Sequence, residues 1–212
     1  MFGQGFVPLT PSTFFHVNFE CFWISEDQWQ KEIKEKRYRL PSLMSLTDEE
    51  QWASVHLGWN EKGLGLAVQV PKPFNQSEYP KIDQGDSVEL FIDTRDKSSG
   101  YCSQFCHHFF FLPVNVDGIQ SGEITRFRSE ETHELADGTK LPVNVDWGKL
   151  VTLLVWIPAT CLHGYDTQQF ERLGMTYRIN RIGSLSQHLS VVSSEYQVEQ
   201  QPSMWSSVRL MR

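Results

Sequence analysis

Gly85-Asp86-Ser87-Val88-Glu89-Leu90-Phe91-Ile92-Asp93 reads as a β-strand, because a pleated chain sends successive side chains to opposite sides. Val88, Leu90 and Ile92 form one apolar face, and Glu89 belongs to the mixed face opposite. Upstream, Ala53, Val55, Leu57 and Trp59 alternate with Ser54, His56 and Gly58. Asn60-Glu61-Lys62-Gly63 then turns the chain into Leu64, Leu66, Val68 and Val70, with Gly63 free to take a positive φ. This is a hairpin. Pro71, Pro73 and Pro80 keep the stretch 71–83 out of a ladder, so it is expected to be a long loop of the kind that carries binding surface.

The same two-residue rhythm extends in both directions. Phe15, Val17, Phe19, Cys21 and Trp23 alternate with polar neighbours and predict a first strand. Trp29 and Ile33, four apart among the charges of 26–39, predict a short helix. Downstream, strands are expected at 104–112, 123–128, 143–145, 174–180 and 207–211, with 150–157 apolar on both faces and hence central. Roughly ten strands with turn signals between them predict an all-β fold, an antiparallel β-sandwich of jelly-roll type with a short N-terminal helix. The expected division is an extension over 1–44 packed on a sandwich over 45–212.

A chain of 212 residues, 40% of them hydrophobic, is long enough to bury one substantial core. Its formal net charge of -7 argues against nucleic acid and anionic membranes as partners, since phosphate affinity comes from clustered Lys and Arg. Residues 1–15 lack a basic segment and are broken by Pro8 and Pro11, and no apolar run spans a bilayer. A soluble, cytoplasmic protein is the expectation, with Cys21, Cys102, Cys106 and Cys161 as free buried thiols.

Val55-His56-Leu57-Gly58-Trp59-Asn60, the strand 64–70, Gly85 to Asp93, Tyr101, Gln104-Phe105, Ile157-Pro158 and the run 202–210 together resemble the family 9 carbohydrate-binding modules and their DOMON-like relatives. The resemblance covers about residues 45–212 and implies a non-catalytic module that grips sugar rings between two tryptophans. One tryptophan's place is held here by Ile82 or Asp83, and the other's by Val198-Glu199-Gln200-Gln201. The family's central-strand carboxylate survives as Glu89, while an arginine after its Gln-Phe pair is replaced by Cys106. The ligand-binding candidates are therefore Glu89, Gln104, Arg178 and Asn180, with Tyr79 and Tyr196 as substitute stacking groups. The resemblance implies weak sugar binding at most; the alternative is a protein-interaction or structural module that has lost the sugar site.

Each singled-out residue also has a plain structural reading. Trp59 and Trp205 fit core packing, Asp86 and Asp93 fit turn amides, and Glu89 fits a cross-strand arginine pair as readily as a ligand contact. Cys102, Cys106, His107 and His108 are of zinc-binding type, but a strand sends Cys106 and His108 to one face and His107 to the other. Met175 and His188 are the side chains a haem-bearing DOMON relative would use, without any haem signature around them. No metal and no cofactor is expected. His133-Glu134, beside Asp137-Gly138, reads as an exposed turn, and no nucleophile elbow, phosphate loop or metalloprotease helix is present to suggest an enzyme.

Overall fold

The computed structural model describes residues 17–42, 50–189 and 197–212. The strands are β1 (Asn18–Trp23), β2 (Ser54–Asn60), β3 (Gly63–Pro71), β4 (Ser87–Asp93), β5 (Cys106–Val116), β6 (Ile119–Glu123), β7 (Val143–Asp146), β8 (Leu150–Pro158), β9 (Arg172–Asn180), β10 (Gln187–His188) and β11 (Ser206–Met211). They join one sheet in the order β6-β5-β4-β9-β11-β1-β2-β3-β8-β7, with β10 paired to β9. The sheet folds over on itself, so that Val88, Leu90 and Ile92 of β4 meet Leu57, Leu66 and Leu153 of the other half in one core. Its far end β7 returns against β5.

The sheet is mixed, where the sequence predicts an antiparallel one. β1 runs parallel to both of its neighbours, β11 and β2, and stitches the two halves together. A hairpin can join only antiparallel strands. β1 is linked to neither neighbour by a hairpin, and its direction was therefore beyond what turn signals encode.

The hairpin of β2 and β3 forms as expected, with Asn60 opposite Gly63. Gly63 has φ of 150°, and a Cβ there would lie 2.2 Å from the Ile157 carbonyl oxygen on β8. Only glycine fits that position. The outer face of β2, β3 and β8 is covered by the N-terminal segment, whose helix is shorter than the charge pattern suggests. It comprises α1 (Trp29–Glu32) and a 3-10 turn at Lys36–Tyr38. Trp29, Ile33, Tyr38 and Ile24 pack there against Ala67 and Leu154, with Trp29 and Trp156 ring centroids 5.5 Å apart.

Two further expectations are corrected. The strand predicted at 123–128 lies earlier, as β6, because Asp117 and Gly118 take positive φ and close a tight turn directly after β5. His133 is no exposed turn: only 3% of its side chain reaches solvent, because it is drawn onto the buried carboxylate of Glu123. All four cysteines are free and buried, as expected. Among the described residues no helix is long and apolar enough to cross a membrane.

Candidate functional site

The alternation of β4 places Glu89 on the face turned away from the core, where its register partners are Phe110 of β5 and Arg178 of β9. Glu89 is nonetheless fully buried. A buried carboxylate is stable only if its oxygens are matched by donors, and here four converge. Arg178 grips it with both edges of its fork, Nε on Oε1 at 2.7 Å and Nη2 on Oε2 at 2.8 Å. His108 Nε2 stands 2.7 Å from Oε2, and Asn180 Nδ2 donates to Oε1 at 2.6 Å. Burial by itself would push this carboxyl up, but the hydrogen bonds and charges of His108 and Arg178 outweigh it and hold the group near a pKa of about 2. Glu89 is thus an anion that fixes the positions of an arginine, a histidine and an amide.

Each of those partners is itself braced. The His108 ring lies on Phe91, 4.2 Å between centroids. Ser186 Oγ donates to Asn180 Oδ1 at 2.7 Å, and Asn180 Nδ2 also reaches Ser87 Oγ at 2.9 Å. Arg178 Nη1 faces Glu199 at 3.6 Å. His188 pairs with Arg178 across β9 and β10. Burial foremost, and then the Arg178 charge, lowers its pKa to about 4, which leaves it neutral at physiological pH.

Above Glu89 opens a cavity of about 190 Å³. Its floor is Glu89, His108 and Arg178, and its walls are Asp83, Arg126, Glu199 and Gln200 with Pro80, Ile82 and Ile124. Of the two places where the family resemblance sets its tryptophans, 82–83 and 198–201, Ile82, Asp83, Glu199 and Gln200 line this cavity. As the sequence already shows, neither place carries an indole, and apart from Ile82 the walls they provide are charged and amide groups. The remainder of the face is filled: Phe91, Cys102, Cys106, Val198 and Trp205 pack on one side, and Ile82, Phe110 and Leu112 on the other.

The structure therefore unites three of the sequence candidates, Glu89, Arg178 and Asn180. Tyr79 stands at the rim beside Pro80, with its ring stacked on Phe110 at 5.7 Å. Gln104 lies elsewhere and bonds to Glu131 at 3.0 Å. Tyr196 falls outside the described residues. His108, Arg126 and Glu199 were missed. His108 carried one usable signal, its even spacing with Phe110 and Leu112 on a strand pairing with β4, whereas Arg126 and Glu199 come from connections whose course the sequence does not encode. Asp86 and Asp93 serve backbone amides as expected, Asp86 accepting from Gln76 and Ile182 and Asp93 from Arg95 and Lys97.

Among groups that could hold a metal, the cysteine and histidine run divides between faces: Cys102 and Cys106 enter an apolar cluster, while His107 points into the core. There it joins Glu123 and His133, whose ligand atoms lie within 4.8 Å of one another. Met175 faces the core and His188 the opposite face of the sheet, so these two cannot flank one haem.

No family model matches the chain, and no curated protein matches it significantly in sequence. Solved structures do. A family 9 carbohydrate-binding module from Caldicellulosiruptor kristjanssonii in complex with cellotriose superposes with a TM-score of 0.63 and 14% identity, over 92% of this chain and 94% of the module. Its complex with glucose gives 0.62 at the same identity, over 92% of this chain and 97% of the module. A Bacteroides uniformis protein named for a proposed carbohydrate-binding role gives 0.58 at 8% identity, over 91% of this chain and 97% of that one. The fold is that of the family 9 carbohydrate-binding modules.

Proposed function

We propose that this chain is a non-catalytic carbohydrate-binding module that takes a single sugar ring into the cavity over Glu89. One observation carries the reading. At the place where the resemblance puts the sugar-gripping residues, a cavity of about 190 Å³ is lined by two arginines, two acids, an amide and a histidine around a fixed carboxylate. Ring hydroxyls need donors and acceptors set at fixed angles, and this arrangement supplies both. Because Glu89 is saturated by its own partners, it acts as a positioning residue. Arg126, Asp83 and Glu199 are the groups left to meet hydroxyls. Without two flanking indoles the affinity is low, each missing aromatic removing about 1–3 kcal/mol of contact.

Isothermal titration with glucose, cellobiose and cellotriose tests this, given what the structural neighbours hold. The expected result is saturable binding in the millimolar range that Arg126→Ala weakens at least about tenfold without loss of thermal stability, Arg126 being exposed. Absence of heat with all three sugars and with xylose would overturn the proposal.

A second reading, a protein-interaction module, is favoured by the turn between β7 and β8, where Trp147 and Leu150 are 46% and 41% exposed. Side chains of that size leave water most readily for a protein partner. Pull-down from cell extract with wild type and a Trp147→Ser, Leu150→Ser variant separates the two: a partner lost with the turn supports interaction, and unchanged sugar binding in that variant supports the cavity.

A further inference from the structure

We propose that His107, Glu123 and His133 form a buried, three-ligand site for a divalent transition metal of the zinc class. His107 stands on β5 and Glu123 at the end of β6, opposite Phe109, so both side chains enter the end of the apolar core. His133 comes from the connection between β6 and β7. Nothing in that core calls for ionisable groups, yet the side chains of His107 and Glu123 are wholly buried and that of His133 is 3% exposed.

The convergence is specific. His107 Nδ1 and His133 Nε2 both point at the same carboxylate oxygen, Glu123 Oε1, from 2.9 and 2.8 Å. The other nitrogen of each ring faces a backbone carbonyl: His133 Nδ1 lies 2.6 Å from Gln104 O, and His107 Nε2, more loosely, 3.5 Å from His163 O. Outward N–H bonds to carbonyls are what fix the tautomer of a metal-ligating histidine. With those protons outward, two ring lone pairs and a carboxylate oxygen meet at one point, and three acceptors cannot bond to one another. Keeping both outer bonds with protons alone would require two imidazolium rings 4.3 Å apart in a site closed to water. One divalent cation resolves the conflict.

The carboxylate is also held for the task. Thr125 Oγ1 donates to Oε1 at 2.6 Å and the Ala136 amide to Oε2 at 2.8 Å. Zinc sets its nitrogen and oxygen ligands roughly 3.3 Å apart in a tetrahedron, so each ring nitrogen needs to draw back from Glu123 Oε1 by about half an ångström. Two imidazoles and one carboxylate, all buried, supply three of a tetrahedral ion's four ligands, and a metal held there staples the β6–β7 connection to the end of the core. It is separate from the Glu89 cavity, lying on the opposite face of β5.

The full chain, purified without a histidine tag, is stripped with a chelator and titrated with zinc alone. The site predicts one equivalent bound and a rise in midpoint of about 5–10 °C once zinc exceeds its Kd a hundredfold. Cobalt in its place is expected to give the d–d absorption of a low-coordinate site. His133→Ala should lose both responses, whereas a Cys102→Ser, Cys106→Ser variant should keep them, excluding the thiols. Should His133→Ala fail to fold, cobalt absorption of the wild type, compared with that of the cysteine variant, decides the matter. Absence of stoichiometric binding to the wild type, or a metal response that vanishes with the cysteines, overturns the assignment.

Discussion

Replacing Glu89 with glutamine keeps the shape of the side chain and removes its charge, which isolates what the anion contributes. Four donors currently end on the two oxygens, two of them from the Arg178 fork. In Glu89→Gln one oxygen becomes an NH2 group that faces donors, and the guanidinium loses its counter-ion. Removing one partner of a buried ion pair costs about 3–5 kcal/mol. Because 22% of the Arg178 side chain reaches solvent, water offsets part of that loss, and the lower end, about 3 kcal/mol, is expected. For a chain of this size that corresponds to a fall in midpoint of roughly 6–12 °C. Urea unfolding followed by tryptophan fluorescence at neutral pH, with calorimetry alongside, measures it. A Glu89→Leu, Arg178→Met double variant removes both charges and should recover much of the loss, since an apolar pair leaves no charge unmatched. A stability of Glu89→Gln within about 0.5 kcal/mol of wild type would refute the view that this carboxylate organises the face.

The same group sets an acid limit. Its pKa is depressed from 4.5 to about 2, so its contribution, roughly 3 kcal/mol, is complete above pH 4.5 and disappears as the pH falls from there toward 2. The difference in midpoint between wild type and Glu89→Gln should therefore shrink across that interval, and a constant difference would contradict it. Trp29→Ala removes the main anchor of the N-terminal segment and is expected to cost about 3–5 kcal/mol in urea unfolding, with faster amide exchange at Trp23 and Ile24. Gly63→Ala must place its Cβ 2.2 Å from a carbonyl oxygen at an unfavourable φ, and a loss of at least about 2 kcal/mol is expected by calorimetry.

The β2 and β3 hairpin and β4 were legible because period-two alternation and a glycine turn are local properties. Leu57, Leu66 and Val88 are core residues for the reason their spacing suggests. The parallel insertion of β1 was not legible, because no turn chemistry specifies which distant strands a terminal segment will join. β6 was misplaced because the Asp117-Gly118 turn, which starts β6 directly after β5, lies ahead of the polar stretch 123–128 where the strand is predicted. At the site, strand parity was enough to set Glu89 apart from the core, and register then brought Arg178 and Asn180 beside it. His108 was hidden in an aromatic run, and His133 resembled a surface turn because its partner, Glu123, acts from a buried position that only tertiary packing creates. Buried polar pairs are decided by long-range contacts, which is why the sequence reveals their chemistry later than it reveals the core.

The most direct test of the account is a glucose titration of the isotope-labelled chain followed by side-chain resonances. Saturable shifts at Arg126 Nε, Arg178 Nε and the His108 ring, with the Trp147 indole unmoved, are what a ring seated over Glu89 produces. Shifts confined to another surface, or none up to the solubility of the sugar, would contradict it.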